Sequence, residues 1–273
     1  MAGESPVAPA PAASVVLVRA AAPGAAEPLE VYLIRRQPRL RFLGGFYAFP
    51  GGRVDPADAA PAALARCRGL DAGQAAALLA GAGPPALAYW VAAARELLEE
   101  CGVLLAVDAA GRPLSGAPAV VARVDRLRRE LMAGGASFGE LLAREGWYVD
   151  CAALRYLSHF TTPRASPIRF SARFFLCRAP ATQPPRLYPE EAAEARWIGP
   201  AEGYRRFRAG ELPMAEPAEY ALGYLAQFES LDSLWAAHAD GRHKFDGLVD
   251  RIDGFWEGFD WAANRWRPRG AIC

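Results

Sequence analysis

The stretch Ala88-Tyr-Trp-Val-Ala-Ala-Ala-Arg-Glu-Leu-Leu-Glu-Glu-Cys-Gly-Val103 leaves this chain few choices. No Pro or Gly interrupts Ala86 to Cys101, Ala and Leu dominate, and Gly102 stands where a C′ glycine ends a helix. At 3.6 residues per turn, Glu96, Glu99 and Glu100 share one face, while Val91, Ala94, Leu98 and Cys101 form an apolar stripe on another. Acids three and four apart repel each other. In a cleft of effective dielectric near 20, two carboxylates ~6 Å apart repel by roughly 3 kcal/mol. A hard divalent cation removes that penalty, since Mg²⁺ takes carboxylate oxygens and keeps waters for a phosphate-bearing substrate. A solvated acidic face could carry the same glutamates, so the helix needs a second half before it implies chemistry. That half lies upstream, at Ala48-Phe-Pro-Gly-Gly-Arg-Val-Asp-Pro-Ala-Asp58.

Together the two segments resemble the Nudix box, G-x5-E-x7-R-E-U-x-E-E-x-G-U with U aliphatic. Arg95, Glu96, Leu97, Glu99, Glu100, Gly102 and Val103 match every defined position of its C-terminal part. The N-terminal part departs from the pattern, because Gly52 and Arg95 lie much farther apart than the box allows. A contiguous reading starts at Gly81 and puts Leu87 where a Glu belongs. A split reading takes Gly52-x5-Asp58 as the loop, with Asp for Glu, and inserts about residues 59–86 before the helix. The split reading is preferred, because Phe49-Pro50-Gly51-Gly52 is the usual entry to a Nudix loop. A box split at this point is similar to the coenzyme A diphosphatase branch of the family.

Composition narrows the partners. A net charge of +1 gives no large single-sign field, so neither nucleic acid nor an anionic membrane is expected to bind. Five scattered cysteines without C-x-x-C fit reduced thiols, and His159, His238 and His243 form no zinc pattern with them. No basic segment followed by an apolar core opens the chain, no run approaches a membrane span, and Ala-Ile-Cys at the end is not a peroxisomal address. The expected location is cytoplasmic.

Taken in order, residues 1–13 are Ala- and Pro-rich and are expected to be a disordered tail. Residues 14–200 are the expected catalytic domain. Ser14–Arg19 and Glu30–Arg35 read as a hairpin across the loop 21–28. Arg35, Arg36, Arg39 and Arg41 then approach the glycine loop as a candidate phosphate clamp, with solvation as the plainer alternative. The insertion carries one short helix, Ala72–Leu79. Leu104–Val107 reads as a strand leaving the acidic helix. A two-helix excursion within about 108–150 follows, on the spacing of Val120, Val124, Leu127 and Leu131. Leu154–Phe160 and Ile168–Arg178 read as a strand pair around Thr161-Thr-Pro-Arg164, in which His159 is a packed or hydrogen-bonded residue. Arg164, Arg169 and Arg173 could meet phosphate oxygens or simply be solvated. Glu190–Pro200, with Trp197-Ile-Gly-Pro, is similar to the family's last core strand. Residues 201–273 read as a helical extension packed on the domain, its aromatic tail from Gly241 covering the body or a second copy of the chain.

The resemblance implies an α/β (α+β) fold: a Nudix α/β/α sandwich with a mixed central sheet, helical insertions and a C-terminal helical extension. It implies a hydrolase of nucleoside-diphosphate-X compounds using Mg²⁺ or Mn²⁺. Coenzyme A or acyl-CoA is the leading substrate, giving 3′,5′-ADP and 4′-phosphopantetheine. ADP-ribose, NADH, a nucleotide sugar, or a non-catalytic metabolite-sensing role are the alternatives. Glu96, Glu99 and Glu100 would hold metal with the Gly51 carbonyl, and Arg95 would hold a glutamate in register by a bidentate pair. Arg36, Arg53, Arg164 and Arg169 are the candidate substrate contacts. One further carboxylate, as ligand or base, would come from Glu190, Glu191 or Glu194. The partners expected are a small nucleotide derivative and, as a candidate, a second copy of the chain.

Overall fold

Valine, leucine and isoleucine runs that are apolar on both faces build the central sheet, as strands covered on two sides require. In this computed structural model β1 (Ala10–Ala20) and β2 (Leu29–Arg36) form the expected hairpin, in the register Val18↔Val31. The structure describes residues 7–40, 42–79, 83–164 and 166–240, together with the backbone of a short strand pair at Phe259–Asp260 and Arg265–Trp266. Two short strands, β3 (Tyr47–Ala48) and β4 (Gly51–Arg53), flank the glycine loop. The insertion folds as α1 (Pro61–Leu64), β5 (Cys67–Arg68) and α2 (Ala72–Leu78) and leads to the acidic helix α3 (Leu87–Cys101). Gly102 ends α3 in the left-handed region at φ +68°.

After α3 come β6 (Ala106–Val107), α4 (Pro118–Met132), α5 (Phe138–Glu145) and β7 (Tyr148–Asp150). Then follow β8 (Leu154–Thr161), β9 (Phe170–Arg178), β10 (Ala192–Ile198), α6 (Pro200–Arg208), α7 (Glu216–Leu225) and α8 (Leu231–Ala237). The main sheet runs β10-β2-β1-β9-β8, with β3 added to β2 and β4 to β1. It is mixed: β1 and β9 are parallel, and the other pairs are antiparallel.

Alternation along the strands sorts the core into two layers. Val15, Leu17, Tyr32, Ile34, Phe175 and Cys177 face α3 and the inserted elements. Val16, Val18, Val31, Leu33, Phe174 and Leu176 face α7 and α8, through Leu222, Leu225 and Leu234. The result is the expected α/β/α sandwich. No described helix is long and apolar enough to cross a membrane.

Two expectations change. The tail expected over 1–13 is structured from Ala10, because Ala12 and Ala13 pair with Arg53 and Gly52 on one side and Ala172 and Arg173 on the other. Ladder hydrogen bonds from both neighbours outweigh the weak strand propensity of an Ala-Pro segment. The strand expected at Leu104–Val107 shortens to two residues and joins a separate small sheet, β5-β7-β6, which ties the insertion to the excursion. The tail from Gly241, and with it most of its aromatic residues, falls outside the described residues.

Candidate active site

The split box closes in space. Arg95, 6% exposed, donates Nε to Asp58 Oδ1 at 2.9 Å and Nη2 to Asp58 Oδ2 at 2.9 Å. Its Nη1 donates to Glu96 Oε1 at 2.9 Å and to Glu99 Oε2 at 2.8 Å, and Nη2 also reaches the Arg53 carbonyl at 2.8 Å. The bidentate partner is therefore Asp58 and not the glutamate the resemblance suggested. The reason is position: Asp58 is 1% exposed, in a 3₁₀ turn (Pro56–Ala59) where it also accepts the Asp55 N–H at 2.8 Å. This fork supports the split reading, since Arg95 reaches back across the insertion to the acid six positions after Gly52.

The glycines let the loop touch the acids. Gly51 donates its N–H to Glu100 Oε2 at 2.7 Å. This contact is made by the N–H, whereas the resemblance gave Gly51 a role through its carbonyl. A Cβ on Gly52 would lie 2.4 Å from Glu96 Oε1, so any side chain there would push the Glu96 carboxylate out of the position in which Arg95 holds it. Gly51 has φ +153°, and a Cβ there would meet the Ala13 carbonyl at 2.4 Å.

Charge is in surplus on this face. Arg95 stays protonated: burial opposes its charge, but the Asp58 hydrogen bond and the charges of Glu96, Asp58 and Glu99 outweigh burial. Burial pushes Glu96 up to about 7, with Glu99 adding to the shift and Arg95 opposing it. Burial raises Glu99 as well, and carries Glu100 well above the carboxylate range with help from Glu96. Burial and mutual repulsion both disfavour the charged form of these carboxylates, and a divalent cation would relieve both, while the missing Cβ at Gly52 leaves room for Glu96 beside the loop. Among the described residues no three acids are drawn together as a finished cation cage. Arg95 ties Glu96 and Glu99 together through one nitrogen, Nη1.

The structure separates the three downstream acids. Glu190, exposed, pairs with Arg128 at 3.2 Å. Glu194 accepts from Tyr47 Oη at 2.7 Å and from Arg196. Glu191 is half-buried, and its charge acts on both Glu99 and Glu100. Of the candidate arginines, Arg36 and Arg53 line a cavity of about 340 Å³ that opens beside Gly51 and Gly52. The other two are not brought there. Arg169 donates to the carbonyls of Thr162 (2.9 Å) and Val7 (2.8 Å), closing the β8–β9 loop over the N-terminal segment. Arg164 is exposed in that loop, outside the cavity lining. His159 is hydrogen-bonded to Ser171 Oγ at 2.8 Å, as expected of a strand histidine.

Sequence reasoning missed Arg128. It is 5% exposed, donates Nε to the Glu99 carbonyl at 2.8 Å and lies over the Tyr188 ring, locking the end of α3 to α4. A signal was present: a cation among Val124, Leu127 and Leu131 stands on the apolar stripe of its own helix, where it needs a buried partner.

A mixed sheet between helical layers, with a glycine loop held on an acidic helix end, defines the Nudix class. The family model for the NUDT19 Nudix domain matches residues 71–225. The chain belongs to the Nudix hydrolases, enzymes of the pyrophosphate bond. It is 32% identical to the acyl-coenzyme A diphosphatase NUDT19 of Gallus gallus, over 84% of this chain and 71% of that one. It is 28% identical to the acyl-coenzyme A diphosphatase NUDT19 of Homo sapiens, over 78% of this chain and 64% of that one. The crystal structure of a NUDIX hydrolase from Alicyclobacillus acidocaldarius superposes with a TM-score of 0.68 at 31% identity, covering 84% of this chain and 96% of the other.

Proposed function

We propose that this chain is a divalent-cation-dependent diphosphatase of coenzyme A and acyl-CoA, releasing 3′,5′-ADP and 4′-phosphopantetheine or its S-acyl form. The observation that carries the reading is the closed box: Gly51 on Glu100, and Arg95 forked onto Asp58, across the insertion. The relatives named acyl-coenzyme A diphosphatase support the substrate.

Water must attack a phosphorus that already carries negative charge, so positioning and charge neutralisation do most of the work. Glu96, Glu99 and Glu100 would hold Mg²⁺ or Mn²⁺, with the Gly51 carbonyl as a further oxygen. When bound, such a cation neutralises phosphoryl oxygens and acidifies water. Arg95 positions Glu96 and Glu99 and stays out of reach of substrate, its donors being spent on Asp58, the two glutamates and Arg53. Arg36 and Arg53, at the loop end of the cavity, offer guanidinium groups to the diphosphate. Glu191 is the best placed of the downstream acids to accept the proton of water. Its charge acts on Glu99 and Glu100, burial raises its pKa against the opposing charge of Arg128, and its neighbours Glu190 and Glu194 are engaged elsewhere.

The test is a substrate panel of CoA, acyl-CoA, ADP-ribose and NADH with Mg²⁺ or Mn²⁺, products identified by mass. CoA and acyl-CoA should yield 3′,5′-ADP. Glu99→Gln and Glu100→Gln should each lower kcat by about a hundredfold or more with the melting temperature kept. Wild-type turnover in both variants would remove the site assignment, and preferred cleavage of ADP-ribose or NADH would remove the substrate.

A further inference from the structure

The cavity beside the box is larger and more apolar than a diphosphate needs. One wall is the sheet face carrying Phe160, Ala172 and Phe174, and the opposite wall is the start of α7, with Ala215 and Ala218. Phe160 and Phe49 both meet Phe174 edge-on, at 5.5 and 6.4 Å between ring centres, so the interior is hydrocarbon. Among its described lining residues the charged groups are Arg36, Arg53 and Glu216. Both arginines belong with the loop, and Arg36 Nε is buried without a hydrogen-bond partner, a donor left over for a ligand. Glu216 places a fully buried acidic group in the wall.

A CoA-like substrate has two unlike halves joined at the bond that breaks. The nucleotide half carries a further phosphate and a base with a polar edge. The other half is an uncharged arm with a dimethyl carbon, two amides and a thioester chain. At about 340 Å³ the cavity is at the small end of ligand pockets, room for one half and not both. The aromatic interior favours the arm, and Thr161, Thr162 and Ser14 in the lining can serve its amides.

Resting on the CoA reading above, we infer that this cavity holds the acyl-pantetheine arm, and that Ala172 on β9 and Ala218 on α7 set the room available to it. The C-terminal extension thereby becomes part of the substrate site and the determinant of which thioesters fit.

The experiment measures binding of the two products separately, S-octanoyl-4′-phosphopantetheine and 3′,5′-ADP, by calorimetry in Mg²⁺. The proteins are the full chain and its Ala172→Phe and Ala218→Phe variants, which fill the cavity from opposite walls. Thermal melts establish that each variant folds, and two walls give two independent chances of a folded one. The dissociation constant of S-octanoyl-4′-phosphopantetheine should rise tenfold or more in the variants, while that of 3′,5′-ADP stays within twofold. Selective weakening of 3′,5′-ADP would assign the cavity to the nucleotide half, and equal weakening of both products would mean that the cavity does not tell the halves apart; either result overturns the inference. No change in either, or no binding of the octanoyl product by the wild-type chain, would overturn it too. Wild-type cleavage of CoA without selective weakening would leave the proposed function standing and sink only the cavity's assignment. Selective weakening without any CoA cleavage would do the reverse.

Discussion

Arg95 stands among more negative charge than one guanidinium can neutralise, and the surplus has a thermodynamic signature. An unfolded glutamate titrates near pH ~4.3. In the folded chain Glu96 is raised to about 7 by burial and by Glu99, and Glu99 and Glu100 are raised as well. Between these limits the folded state binds more protons than the unfolded one, so its stability falls as pH rises. Glu194 and Glu145 are shifted the other way, Glu194 chiefly by its bond from Arg196 and Glu145 by Arg123 and Arg126 against its burial. Their contribution is lost only as pH drops below the unfolded value, a separate window. In a chelator, thermal stability should therefore decline from about pH 5 to about pH 8. Mn²⁺ at a fixed millimolar concentration should raise the melting temperature more at pH 8 than at pH 5.5, because deprotonated ligands bind it. Equal shifts at the two pH values would show that these carboxylates are not what the cation meets.

Between elements, the decisive link is the fork from Arg95 on α3 to Asp58 in the 3₁₀ turn. Both side chains are nearly out of solvent, at 7% and 1%. Removing one partner of a buried pair costs roughly 3–5 kcal/mol. Asp58→Asn should fall at the low end, about 3 kcal/mol, because Glu96 and Glu99 still engage Arg95. Urea unfolding reads this directly; a change below about 1 kcal/mol would mean the fork is only a surface pair. Much at this scale was legible from the residues. Helix α3 and its Gly102 stop, the β1–β2 hairpin, α4 and α5 all follow periodicity or end signals that lie within a few residues of one another. What was not legible depends on partners far along the chain. Ala10–Ala13 carry no strand pattern of their own and are strand because β4 and β9 lie on either side. Arg169 has the sequence context of a phosphate contact, yet its donors are taken by Thr162 and Val7. Glu190, Glu191 and Glu194 are alike in sequence and differ only in that Arg128, Tyr47 and Arg196 reach two of them, while the charge of the third acts on Glu99 and Glu100.

At the scale of the molecule the C-terminal helices complete a core layer. Leu212, Met214, Leu222, Leu225 and Leu234 are all at most 2% exposed, against a sheet face carrying Val16, Leu33 and Leu176. A fragment ending at residue 200 would lay that face open to water, a patch far larger than a monomer tolerates. The fragment should elute as aggregate and bind a hydrophobic dye, and a monomer with a cooperative melt would show that α6–α8 are dispensable. The sequence predicted a helical extension packed on the domain, but which of its apolar residues enter the core depends on strands far back in the chain. The central position of β1 has its own consequence for biosynthesis. Its partner β9 begins at Phe170, so Val15-Val16-Leu17-Val18 leaves the ribosome with one edge unpaired and waits while some one hundred and fifty further residues are made. An apolar edge open for that interval invites pairing with other nascent chains. Yield of native enzyme should accordingly be set by how well chaperones shield the first hairpin, before any acid or metal comes into play.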